Sequence, residues 1–189
     1  MTIAFYSNNQ TGSTGAVVSA AGQPISIFDN TQSIAGSTAA VGFQLVGSDS
    51  AITEYGNAPM LFLAPPTGLG VSNTFVAGGS GNATFVNNPG GGDKTVDAVD
   101  ATSAKVNGTT DTILNFTTGD IFKIFGAVAP GNVLAAPDLT APLTSSVLQV
   151  KLASGTAFNV NFNNVTFAKL QADVSAATVT PTVWQIAAA

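Results

Sequence analysis

Residues 111 to 126 read DTILNFTTGDIFKIFG. Apolar Ile113, Phe116, Ile121, Ile124 and Phe125 flank Thr117-Thr118-Gly119-Asp120, whose small polar side chains and glycine favour a tight turn. The stretch reads as two short strands joined by a hairpin turn or a solenoid corner. GGSGNATFV at 78 to 86 and LASGTAFNVNFNNVTFAKLQAD at 152 to 173 repeat the design. Turn chemistry alternating with short apolar runs is the pattern of stacked β-turns, so an all-β fold is expected.

The same pattern extends outward. Ile25 to Phe28, Val41 to Val46, Thr74 to Val76 and Thr84 to Val86 are short, rich in β-branched or aromatic residues and bounded by turn formers, as strands require. MLFLA at 60 to 64 is fenced by Pro59, Pro65 and Pro66, which suits a strand better than a helix. Phe158, Val160 and Phe162 alternate with Asn159, Asn161 and Asn163, so apolar groups share one sheet face and amides the other. The amide face reads as solvated, or as a ladder facing another subunit. Phe167, Leu170 and Val174 recur at helical spacing, placing the one short helix within 165 to 176 with Thr166 or Asn164 as its cap. Gly90-Gly91-Gly92 marks 87 to 93 as a loop and the candidate lobe boundary of a single domain spanning 1 to 189. Pro130, Pro137 and Pro142 mark 129 to 142 as a second loop. No fixed period runs through the whole chain, so the architecture is a β-sandwich or a short β-roll or solenoid with irregular loops.

Composition narrows the function. Forty-five per cent of the residues are apolar and twelve are Phe, enough for a packed core and too many for a disordered chain. No stretch approaches the roughly 20 uninterrupted apolar residues of a spanning helix, so no transmembrane segment is expected. Five dispersed lysines, no arginine and a net charge of −5 oppose binding to a phosphate backbone, which excludes nucleic acid as a partner. With neither His nor Cys, a general base would have to be a carboxylate or lysine, and no nucleotide-binding or metalloprotease motif is present; an enzyme is not expected.

Gly78, Gly79, Gly81 and Phe85 fall on the glycine and apolar positions of a nonapeptide G-G-x-G-x-D-x-U-x, in which U is a large apolar residue. Asp111, Ile113, Phe116 and Gly119 fall on a following pattern D-x-I-x-D-F-x-x-G-x-D-x-I. In these features the second half of the chain resembles the C-terminal region of bacterial RTX proteins. Ala83 stands at the nonapeptide's calcium-binding aspartate, Asn115 replaces the aspartate before Phe116, and Asp120 follows Gly119 directly. The resemblance implies calcium as the candidate cofactor and a type I exporter as partner, with an uncleaved signal in the tail from Asp173 to Ala189. MTIAFYSNNQTG at the start has neither the basic nor the apolar region of a Sec signal. The expected location is therefore extracellular or on the cell surface, without an N-terminal signal peptide.

Asp93, Asp97, Asp100, Asp111 and Asp120 supply five of the ten acids within a short span, and such hard oxygen ligands suit calcium. Asp111 and Asp120 sit on or beside the family's acidic positions, and Asp93 follows the glycine turn; these three are the candidate metal ligands. Asp97 and Asp100 read at least as readily as solvated loop carboxylates.

A β-rich chain with so few charges lacks the lysines that guard sheet edges against neighbours. The expected function is a secreted structural protein that assembles with itself outside the cell, as a filament, surface layer or biofilm matrix, with calcium fixing the assembling form. An adhesin or carbohydrate-binding module and a virion or phage surface protein are the alternatives.

Overall fold

A computed structural model describes residues 2–3, 24–27, 41–44, 51–54, 59–64, 72–89 and 94–188. Ten strands open the chain: β1 (Thr2–Ile3), β2 (Pro24–Ile27), β3 (Val41–Gln44), β4 (Ala51–Glu54), β5 (Met60–Leu63), β6 (Ser72–Ala77), β7 (Ala83–Val86), β8 (Lys94–Asp100), β9 (Thr110–Leu114) and β10 (Ile121–Phe125). They alternate between two sheets, and each of β1 to β8 pairs in parallel with the strand two places along. This is a two-sheet β-roll. Five strands and a helix complete it: β11 (Val133–Pro137), β12 (Ser146–Lys151), β13 (Ala157–Asn163), α1 (Phe167–Ser175), β14 (Thr178–Val179) and β15 (Val183–Ala187). The first sheet runs β1-β3-β5-β7-β9-β13-β12-β11 and the second β2-β4-β6-β8-β10-β15-β14, with no closed barrel.

The all-β expectation holds, and the roll follows from the period-two pattern. β5, β7, β9, β10 and β13 each alternate buried and half-buried residues, so one face of every strand turns inward. The register stacks Phe62 on Phe85, Phe85 on Ile113 and Ile113 on Phe162 in the first sheet. The Phe62 and Phe85 rings stack with centroids 5.1 Å apart, and Phe122 of the second sheet meets Phe162 of the first edge-on at 5.6 Å. Offset-stacked and edge-on pairs of this kind add to the area they bury. The Asn face of β13 is half-buried, with Thr112 and Val147 flanking Asn161 in register and Gln149 beside Asn159.

Thr117 to Asp120 is a corner between the sheets and not a hairpin, because β9 and β10 lie in different sheets. Asn115 takes φ 62°, a left-handed conformation that asparagine tolerates better than most residues, and Gly119 follows at φ 102°. Asn115 Nδ2 donates to the carbonyl of Asn87 at 2.9 Å and the Asn87 N–H donates to the carbonyl of Leu114 at 3.0 Å, tying successive corners together. Because β6 pairs with β8 and β7 with β9, residues 87 to 89 form the corner before this one. At the other side of the roll, Asn82 Oδ1 accepts from the Thr110 N–H at 3.0 Å and Asn107 Oδ1 from the Ala157 N–H at 2.9 Å.

The structure corrects one loop. Residues expected as loop between 129 and 142 contain β11, with Pro130 opening a single 3₁₀ turn and Pro137 closing the strand. Neither proline interrupts the strand, since β11 is an outer strand and proline is tolerated at such positions. The helix forms where its periodicity placed it, capped by Thr166, whose hydroxyl accepts from the Lys169 N–H at 3.4 Å. It packs chiefly on β11, with lesser contacts to β12 and β15, and buries Leu170 in the core. The residues beyond Ile27 and Gln44 in the expected strands 25 to 28 and 41 to 46 lie outside those described, as do Gly90 to Asp93.

Candidate functional site

The inward ladder of the second sheet is interrupted by a carboxyl group. Ile52 pairs with Phe75, Phe75 with Asp97, Asp97 with Phe122 and Phe122 with Ile186. Asp97 thus occupies an inward position between two buried phenylalanines and is itself wholly buried. Its Oδ2 accepts from Asn87 Nδ2 at 2.8 Å. Its Oδ1 and the Oδ1 of Asn87 are both buried without a hydrogen-bond partner among the described residues. Each buried orphan of this kind costs about 1–3 kcal/mol.

Asp120 lies beside this pair. Its Oδ1 accepts from the Thr95 N–H at 3.1 Å, and its Oδ2 accepts from the Thr117 N–H at 2.9 Å and the Thr117 hydroxyl at 3.4 Å. The carboxyl therefore staples the corner before β10 to the start of β8. Burial pushes Asp97 well above the usual carboxylate range; the Asn87 amide opposes that shift, and the nearby Asp120 charge adds to it. Burial also raises Asp120, against the pull of its backbone, Asn87 and Thr117 donors. Neither acid is paired with a lysine among the described residues.

Asp111 is placed elsewhere. It faces inward near the start of β9, where Oδ1 accepts from the Ala83 N–H at 2.7 Å, and burial raises its pKa to about 7. Asp111 and Asp120 thus stand beyond opposite ends of the β9 segment 112 to 114, and the fold does not bring them together. Asp93 lies outside the described residues. Among those described, no three His, Cys, Asp or Glu side chains group to hold a metal ion. Asp97, expected as a solvated loop carboxylate, is instead a core residue. Alternation offered no signal for it, since residues 95 to 99 are all buried and Val96 and Ala98 form the more apolar phase.

A second feature lies at the C-terminal end of the roll. The exposed large apolar side chains among the described residues are Leu134 (60%), Leu139 (89%), Leu143 (86%) and Val179 (39%). Leu134 is on β11 and Val179 on β14, the last strands of the two sheets; Leu139 and Leu143 lie on the connection from β11 to β12. No described strand pairs with the outer edge of β11 or β14, and neither strand carries a charge. No described helix is long and apolar enough to cross a membrane. No family model, curated protein or solved structure matches the chain.

Proposed function

We propose that the protein is a structural subunit that assembles with itself, copies stacking end to end through the margins of both sheets. The observation that carries this reading is the direction of the terminal strands. In the first sheet, β12 reverses against β13 and β11 reverses again, so β11 runs the same way as β1. In the second, β15 reverses against β10 and β14 reverses again, so β14 runs the same way as β2. A copy added by simple translation would bring β1 to β11 and β2 to β14, extending both sheets in parallel at once. Such a contact is heterologous and does not close on itself, so it gives filaments or layers.

The chemistry of those margins supports the same reading. Thr2–Ile3, Pro24–Ile27, Val133–Pro137 and Thr178–Val179 contain no charged residue, and edges without lysine or inward charge invite pairing. Pro24 and Pro137 stand at strand termini, which leaves the strand interiors unguarded. In this proposal the protein acts outside the cell, delivered by a type I exporter, as part of a filament, surface layer or matrix.

Sedimentation velocity over a wide concentration range tests the proposal. Wild type is expected to form species that grow with concentration, and Leu134→Lys with Val179→Lys to remain monomeric. Because both side chains are exposed, these substitutions leave the core intact. A wild type that stays monomeric at every concentration refutes the reading.

A further inference from the structure

We infer that Asn87 and Asp97 form a proton-operated latch between the two sheets, closed by one carboxyl proton on Asp97 and released when that proton leaves. The latch is separate from the sheet margins and does not rest on self-assembly.

The geometry specifies the proton. Asn87 Nδ2 donates to Asp97 Oδ2 at 2.8 Å, and the two atoms left over, Asp97 Oδ1 and Asn87 Oδ1, are acceptors shielded from solvent and without a partner among the described residues. A proton on Asp97 Oδ1, donated to Asn87 Oδ1, satisfies both at once and closes a ring of two hydrogen bonds between acid and amide. Without that proton both oxygens are orphaned together, and a wholly buried carboxylate is left with one neutral donor. Hydration then favours opening.

Position gives the ring its leverage. Asp97 lies on β8 of the second sheet, whereas Asn87 directly follows β7 of the first. The Asn87 N–H donates to the Leu114 carbonyl at 3.0 Å and the Asn87 carbonyl accepts from Asn115 Nδ2 at 2.9 Å, so one residue carries the contacts between successive corners. Releasing its side chain from β8 loosens both corners as a unit.

Nothing described around Asp97 offsets the charge that opening creates. β5, β6 and β7 carry no titratable residue. On β8 itself Lys94 is exposed and passes beside Gly119, and Asp100 accepts from Thr102. Lys123 of β10 belongs to the face opposite Phe122, which pairs with Asp97. β9 offers only Asp111, and the corner before β10 offers Asp120, bonded to the Thr95 N–H two residues from Asp97. These are acids, and burial pushes Asp97 upward as well. The latch is therefore closed at acid pH and opens as pH rises through the raised pKa of Asp97.

Asp97→Asn replaces the carboxyl proton with an amide proton that does not titrate, so this variant keeps the ring closed at every pH. The test is NMR of wild type and the variant across about pH 4 to pH 9. The side-chain carboxyl carbon of Asp97 should titrate well above the ordinary carboxylate range. Above that transition the Asn87 amide should exchange with solvent roughly tenfold faster in wild type than in Asp97→Asn, the difference being confined to the corners at 87–89 and 115–120. Below it the two proteins should agree. If Asp97→Asn does not fold, the wild-type titration decides alone. An Asp97 that ionises in the ordinary range, exchange that follows one pH course in both proteins, or a difference spread evenly over every strand overturns the proposal.

Discussion

Replacing Asp111 by Asn isolates the energetic consequence of a buried carboxyl. Asp111 is 1% exposed, paired in register with Val160, and its Oδ1 accepts from the Ala83 N–H at 2.7 Å. Burial raises its pKa from 3.8 to about 7. Below pH 4 the group is protonated in both folded and unfolded chains and contributes no pH dependence. Between about pH 4 and pH 7 the folded chain keeps a proton that the unfolded chain has lost, so stability falls as pH rises. The slope is about 1.4 kcal/mol per pH unit, which accumulates to ~4 kcal/mol by pH 7 and then levels off. Asparagine retains an acceptor for Ala83 and does not titrate. Urea denaturation from pH 4 to pH 8 with chelator present should therefore give equal stabilities at the acid end and a variant more stable by up to ~4 kcal/mol at the alkaline end. Asp97 and Asp120 also lose stability with rising pH, but they are common to both proteins and largely cancel in the difference. Parallel stability curves for wild type and variant across the whole range would refute this account of Asp111.

Two further perturbations probe the roll itself. Phe85→Ala removes a ring stacked on Phe62 and wholly buried, and should lower the urea-derived stability by about 3–5 kcal/mol; a loss below 1 kcal/mol contradicts the stacked core. Asn115→Gly keeps the left-handed corner but loses the amide bond to Asn87, whereas Asn115→Val loses both. The valine variant should be less stable than the glycine variant by roughly 1–2 kcal/mol in the same assay, and the reverse order contradicts the corner geometry.

Much of the fold was legible because local chemistry and tertiary burial agree. Phe158, Val160 and Phe162 alternate in sequence and turn inward together, and Thr166 caps the helix whose period was set by Phe167, Leu170 and Val174. The choice between sandwich and roll was not legible. Pairing each strand with the one two places along depends on corner lengths, and the unequal spacing of Phe62, Phe85 and Ile113 hides the repeat. β11 was concealed by its prolines, Pro130 in the 3₁₀ turn before it and Pro137 as its last residue, where an outer strand tolerates one. The buried acids divided by the same logic. Asp120 sits at a recognisable turn, where its role as a staple follows from the Thr117 N–H, while Asp97 looked solvated because acidic side chains are almost never fully buried. Parity gave no counterweight, because Val96 and Ala98 make the opposite phase of β8 the more apolar and both phases are buried.

The chain contains no cysteine, so single thiols can report which ends meet. Cysteine introduced at Ser26 in β2 and, on a separate chain, at Val179 in β14 would lie within reach of a disulfide if the two strands become neighbours between copies. The account predicts that mild oxidation of the mixture gives the mixed Ser26→Cys to Val179→Cys dimer well before either variant cross-links with itself. Self-linking of Val179→Cys at the same rate, or no cross-link in the mixture at concentrations where wild type assembles, would contradict head-to-tail stacking.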